Sequence, residues 1–164
     1  MRASACCLSA AAGLALLDQL LKMAAIYWIR PVGYLPLWPG ILQLVYVENR
    51  GMAFSLLVGR QDLLIVVTGI AILALLLAVL LGKLSRPSHL AAAALMLGGG
   101  MGNLIDRIFR GYVIDYLQIR LGQYIVLNFA DLCVIAATVL AILLYWKTMV
   151  MSQSRKGGAD GSQN

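Results

Sequence analysis

Six charged side chains stand out in a chain of 164 residues that is 62% hydrophobic and only 12% charged. Asp18, Lys22, Asp106, Arg107 and Asp131 fall within or at the ends of long apolar runs, and Asp115 follows soon after the third run. Insertion scales charge about 2.5–3.5 kcal/mol for an Asp, Lys or Arg at the centre of a bilayer helix. Even discounted for residues near the interface, the sum is on the order of 10 kcal/mol, which rivals the net stability of a whole domain. Such residues must face one another or a wet cavity, and a functional site is the default reading.

Helical spacing lets them converge. Asn128, Asp131, Ile135 and Thr138 follow i, i+3, i+7, i+10 and share one face; Gly99, Asn103, Asp106 and Arg107 share another through i, i+4, i+7, i+8. Asp18 and Lys22 form an i, i+4 pair of opposite charge. Each pattern also has a structural reading: Asp18–Lys22 as a self-neutralising pair, Asp106–Arg107 as a pair fixing one helix to its neighbours, Gly98–Gly102 as close helix packing. Asp131 resists such a reading, because no basic residue lies within a turn or two of it.

The chemistry these residue types offer is that of paired carboxylates. Two aspartates held close cannot both ionise and share one proton near neutral pH. The ionised partner takes a proton from water while the protonated partner donates to a carbonyl oxygen, which is peptide hydrolysis. Spacing leaves Asp115 with Asp131 and Asp106 with Asp131 both open as the pair. Other chemistry is poorly provided for. The single histidine, His89, follows Pro87 in what reads as a short connection and cannot build an H-E-x-x-H site. Cys6, Cys7 and Cys133 lack metal or redox spacing and read as small buried residues. The net charge of +6 is scattered between apolar runs with no dense basic patch, so nucleic acid is not an expected partner.

The elements that must position these groups are membrane spans. About 20 residues at 1.5 Å each cross the hydrocarbon, and four stretches qualify: 5–29, 63–82, 90–109 and 124–146. The first is too long and too charged in its middle for a cleavable signal peptide. Four spans place both termini on one side, and the positive-inside rule gives a small preference for the cytoplasm. Residues 30–62 are too polar to span; Ile41–Glu48, rich in β-branched and aromatic residues after Pro39–Gly40, predicts short strands on the outer face. A second outer segment, 110–123, carries Asp115. Residues 1–151 are expected to form a single membrane-embedded domain, and 152–164 a disordered cytoplasmic tail.

Five segments in order resemble the bacterial lipoprotein signal peptidases (signal peptidase II). Leu17-Asp18-Gln19-Leu20-Leu21-Lys22 is similar to that family's L-D-Q-x-x-K. Val47-Glu48-Asn49-Arg50-Gly51-Met52-Ala53-Phe54-Ser55 resembles V-x-N-x-G-A-A-F-S, and Gly98-Gly99-Gly100-Met101-Gly102-Asn103-Leu104-Ile105-Asp106-Arg107 resembles G-G-A-x-G-N-x-x-D-R. Val113-Ile114-Asp115-Tyr116 stands for V-V-D-F, and Asn128-Phe129-Ala130-Asp131 for N-x-A-D. The resemblance implies an all-α integral membrane fold of four transmembrane helices with a small extracytoplasmic β-cradle between spans 1 and 2. It implies a catalytic dyad of Asp115 and Asp131, substrate-binding roles for Asn49, Asn103, Arg107 and Asn128, and structural support from Asp18, Lys22, Gly51, Gly102, Asp106 and Ala130. The implied reaction removes the signal peptide from diacylglyceryl-modified prolipoproteins, just before the lipidated cysteine, at the cytoplasmic membrane. No cofactor and no obligatory protein partner are implied; the partners are substrate and membrane lipids. The chain departs from the family pattern at Met52, Gly100, Tyr116 and Leu127. The competing reading is a small proton-coupled transporter using Asp18, Lys22 and Asp131 as a relay.

Overall fold

The computed structural model describes residues 2–51 and 60–160, with backbone only for Leu121 and 152–160. Helix α1 (Arg2–Ala24) runs into a π-helical turn (Ala25–Ile29), then come strands β1 (Tyr34–Trp38) and β2 (Leu42–Asn49). Helices α2 (Gln61–Leu80) and α3 (Pro87–Arg110), strands β3 (Val113–Leu121) and β4 (Gln123–Leu127), and helix α4 (Phe129–Asp160) complete the chain. Four helices are long and apolar enough to cross a membrane.

Helix α3 is the centre of the bundle and packs on each of the other three helices. Its apolar window is 50% buried, against 17–22% for the others, so α1, α2 and α4 present most of their surface to lipid. Small residues explain why α3 takes the middle. A Cβ at Gly98 would stand 2.7 Å from the Leu14 Cβ and 2.9 Å from the Ala11 carbonyl, and one at Gly99 would collide with the carbonyl of Ala130. In lipid, where apolar burial gives helices no reason to associate, such close backbone approach supplies the packing. Cys7, Ala11, Ile72, Val79, Leu90, Ala93, Leu97 and Leu104 fill the seams.

The strands form one antiparallel sheet in the order β1-β2-β3-β4. Gly111, at φ 75°, ends α3 in the left-handed conformation and turns the chain into β3. Asn49 pairs with Val113 and Val47 with Asp115, so these four alternate residues share one face of the sheet. Ile114 points the other way, into a cluster with Ala25 and Ile29 that fastens the sheet to the end of α1.

Several expectations are corrected here. The sheet is not confined to the segment between the first two spans: β3 and β4 come from the segment between α3 and α4. The fourth helix starts at Phe129 rather than Tyr124, because Tyr124–Leu127 pair with β3 through Arg120 to Leu117. His89 lies in the first turn of α3 rather than a loop, since Pro87 is suited to the first helical turn. Cys7 and Cys133 are buried, but Cys6 is exposed on α1. The helical backbone of α4 is described to Asp160, and residues 161–164 of the expected tail lie outside the described residues. Met52, Ala53, Phe54 and Ser55 lie outside the described residues.

The packing makes a comparison of two glycines informative. Gly99→Ala is expected to lose about 1–3 kcal/mol by overpacking, whereas Gly13→Ala, with nothing within 4 Å of the added carbon, should not destabilise. Thermal unfolding of both variants in one detergent measures the difference; equal midpoints would contradict this account of the α3–α4 contact.

Candidate active site

The site is built outward from one ammonium group. Lys22 is fully buried, and its Nζ makes three contacts: Asp18 Oδ2 at 2.8 Å, Asp106 Oδ2 at 3.0 Å and Asn103 Oδ1 at 2.9 Å. That matches the three hydrogens a lysine has to give. Asp106 Oδ1 accepts from Arg110, one turn further along α3, and from Gln19 Nε2 at 3.2 Å. Two cations and two carboxylates thus close into a neutral cluster, which is what makes full burial of Asp18, Lys22 and Asp106, with Arg110 partly exposed at its edge, tolerable. Gly102 has no side chain because Asp18 occupies its place: an added Cβ would lie 2.5 Å from Asp18 Oδ2.

This cluster holds the start of α4. The first N–H groups of a helix lack intrahelical partners, and here each has one. Asn128 N–H donates to Asp131 Oδ2 at 3.1 Å, and Asp131 N–H donates back to Asn128 Oδ1 at 2.9 Å, a reciprocal capping box. Phe129 N–H donates to the Tyr116 hydroxyl at 3.1 Å, and Ala130 N–H to Asp18 Oδ1 at 2.9 Å. Carboxylates at this end also suit the positive pole of the helix dipole.

Asp115 reaches the same place from β3, the strand that Asp106 anchors by accepting the Ile114 N–H at 3.0 Å. Asn49 Nδ2 donates to Asp115 Oδ2 at 2.8 Å and Asn128 Nδ2 to Asp115 Oδ1 at 2.6 Å. Asn103 Nδ2 donates to Asp131 Oδ1 at 2.8 Å. A single residue, Asn128, therefore touches both aspartates. Burial pushes the Asp115 carboxyl up to about 6, helped by the charge of Asp131 and opposed by the amide donors of Asn49 and Asn128.

Both aspartates line a cavity of about 800 Å³, together with the polar residues Asn49, Arg50, Asn103 and Arg107. Val47, Val113, Leu127, Val134 and Ile135 are among its apolar lining. Arg107 is half-buried, its Nε has no hydrogen-bond partner among the described residues, and it feels the charges of Asp131 and Asp115. Gly51 N–H donates to Asn49 Oδ1 at 3.0 Å, which fixes the amide so that its Nδ2 faces Asp115. Ala130 is fully buried beneath Gly99. Among the described residues no group of three His, Cys, Asp or Glu side chains is placed to hold a metal ion.

The structure resolves several readings that spacing left open. Asp115 and Asp131 line one cavity and are bridged by Asn128, whereas Asp106 belongs to the Lys22 cluster and does not line it. Asp106 pairs with Lys22 and Arg110, not with Arg107, because adjacent residues on a helix point about 100° apart. Asn128 spends its side chain inside the network. Thr138 is not part of the polar face: its hydroxyl donates to the Val134 carbonyl of its own helix at 2.8 Å. Asp18 and Lys22 do not line the cavity either, so a relay running through them to Asp131 finds no support. Gln19, Arg110 and Tyr116 were missed as site residues, although the i, i+4 spacing of Asp106 and Arg110 was readable.

The family model for signal peptidase (SPase) II matches residues 10–147. The chain belongs to the signal peptidase II family. It is 39% identical over 132 residues to a lipoprotein signal peptidase of Halothermothrix orenii, covering 80% of this chain and 89% of that one. It is 36% identical over 160 residues to one of Dehalococcoides mccartyi, covering 95% and 94%. In fold it is similar to a bacterial membrane enzyme solved by the in meso method at 2.3 Å, with a TM-score of 0.81 at 22% identity, covering 88% of this chain and 90% of that one. Against the signal peptidase II pattern, the tyrosine at 116 gains an α4 cap that phenylalanine lacks, and Gly100 faces Ile72 of α2.

The caps can be ranked. Tyr116→Phe removes one hydrogen bond and is expected to cost about 1 kcal/mol. Asn128→Ala removes a cap and leaves buried partners unsatisfied, for about 3 kcal/mol. Chemical or thermal unfolding in detergent tests the order, and a costlier Tyr116→Phe would refute it.

Proposed function

We propose that this signal peptidase II is an intramembrane aspartic endopeptidase that cuts diacylglyceryl-modified prolipoproteins just before the lipidated cysteine. The observation that carries this reading is that Asn128 bridges Asp115 and Asp131 in one cavity of mixed polar and apolar lining. Asp115, 2% exposed, carries the shared proton; Asp131, half-buried beside Arg107, is the ionised partner.

In the first step Asp131 takes a proton from a water as its oxygen bonds to the scissile carbonyl carbon, and Asp115 gives its proton to the carbonyl oxygen. In the second, the C–N bond breaks. Asp131 returns its proton to the departing amine, and a hydroxyl of the tetrahedral diol returns one to Asp115. The pair ends as it began, so two carboxylates and one water complete the cycle without a cofactor. Arg107, Asn49 and Asn103 offer donors to the substrate backbone, and the donors are fixed before the reaction begins. The apolar lining suits a substrate entering from lipid. Both termini then lie in the cytoplasm and the sheet on the extracytoplasmic face of the bacterial cytoplasmic membrane.

Purified protein should cleave a diacylglyceryl-modified prolipoprotein and leave its non-lipidated form intact. Asp115→Asn and Asp131→Asn should each reduce turnover by at least about 10³-fold, as loss of an acid or base does, while the protein still unfolds cooperatively. Activity in either single variant would sink the dyad.

The singly protonated pair is the active form, so loss of the Asp115 proton ends activity. kcat/KM is expected to fall as pH rises through about 6, and kcat to fall at a higher pH, because substrate in the cavity further desolvates Asp115. A profile that rises across this range would contradict the assignment of the proton.

A further inference from the structure

We propose that Lys22 is a positioning residue for the reaction: through Asn103 it sets the donor sense of the hydrogen bond that reaches Asp131. The proposal rests on the peptidase reading above.

A primary amide has two ends of nearly equal shape and opposite hydrogen-bonding character. Nothing in the size of Asn103 decides which end faces Asp131. Lys22 supplies the shortest contact that decides it, because an ammonium only donates, and Asn128 reinforces it. Asn103 Oδ1 accepts from Lys22 Nζ at 2.9 Å and from Asn128 Nδ2 at 3.2 Å. Its Nδ2 is thereby turned to Asp131 Oδ1, 2.8 Å away. The opposite orientation would set an NH₂ group against an ammonium and another NH₂, and an oxygen against a carboxylate.

The sense continues into Asn128. Its Oδ1 is taken by the Asp131 N–H, so its Nδ2 supplies one hydrogen to Asn103 Oδ1 and the other to Asp115 Oδ1. Asp131 therefore receives an amide donor that Lys22 helps to orient, whereas the donor from Asn128 to Asp115 is oriented by the Asp131 N–H. Lys22 itself is fully buried, does not line the cavity and touches neither aspartate of the pair. Its charge is neutralised within the cluster of Asp18, Asp106 and Arg110. It faces Asn103 directly and its charge also reaches Asp115, so the test must remove Lys22 and a balancing carboxylate together to isolate hydrogen-bond direction. That direction bears on the reaction, because an amide oxygen facing Asp131 would favour a proton there and remove the base.

The test is a charge-conserving double variant, Asp18→Asn/Lys22→Met, assayed for kcat and KM on lipidated prolipoprotein across pH. The other charged and titratable groups around Asp131 stay in place: Asp106 and Arg107 from α3, Asp115 and Tyr116 from β3, Glu48 and Arg50 from β2. With one of the two donors to Asn103 Oδ1 removed, kcat is expected to fall by about tenfold to a hundredfold, as for a small misplacement remote from the chemistry. The acid limb of kcat should move to higher pH, because an amide oxygen turned to Asp131 favours its protonated form. A uniform fall at every pH, or an unchanged profile, would overturn the proposal.

Asn103→Asp covers the case in which the double variant does not fold. Protonated, the new carboxyl donates to Asp131 as the amide does; ionised, it presents a second negative charge. Activity should survive at acidic pH and vanish as pH rises, ahead of the wild-type alkaline limb, and a wild-type profile would again overturn the proposal. The peptidase reading fails separately, through a wild-type protein that does not cut or an Asp131→Asn variant that does.

Discussion

A lysine ammonium with no exposed surface is the constraint around which this protein is organised. An uncompensated ion in an apolar bundle costs several kcal/mol even after relaxation, so every group near Lys22 is selected by its ability to accept or to balance. Asp18 comes from the same helix one turn away, Asp106 from α3, and the second cation, Arg110, from the next turn of α3. The cluster is neutral only when α1 and α3 are in one register. Gly102 enforces that register sterically, since any side chain there would displace Asp18. The ionic cluster is thus weak evidence for stability but a strict condition on alignment.

From this fixed point the network reaches the two elements that bring the reacting groups. Asp106 takes the Ile114 N–H and so places β3, with Asp115 the next residue along. Asp18 takes the Ala130 N–H and so places α4, with Asp131 again the next residue along. One carboxylate of the cluster therefore stands behind each aspartate of the pair, displaced by a single residue. The groups that satisfy the end of α4 and the groups that form the site are largely the same residues. Local helix capping and the alignment of chemistry are one problem here, with one solution.

What the sequence made legible follows from what is local. The i, i+4 pair Asp18–Lys22, the i, i+3 relation of Asn128 to Asp131 and the four apolar stretches could be read because helical periodicity is a property of neighbours. The fourth strand could not, because Tyr124–Leu127 continue an apolar run into α4 and hydropathy does not distinguish pairing with β3 from crossing lipid. Asp106 and Arg107 were read as a unit fixing one helix to its neighbours; only Asp106 does so, through partners four residues along the helix and on another helix, while Arg107 lines the cavity. The choice of Asp115 over Asp106 as the companion of Asp131 depended on family resemblance. Spacing alone cannot report that β3 folds back across the start of α4.

The cavity repeats the logic of the cluster with one difference. Asp115, Asp131 and Arg107 hold two potential negative charges and one positive, so the set is neutral when the pair retains a single proton. Asparagines, not further ions, join the two sets: Asn103 and Asn128 carry hydrogen-bond direction across the boundary without carrying charge. A charged linker would have merged the two sets and tied the proton count of the aspartates to that of the cluster. With neutral amides between them, the cluster keeps its own ion pairs, and none of its members lines the cavity. On the mechanism proposed above, that separation lets the pair exchange a proton with water and substrate without breaking the ion pairs that hold the fold.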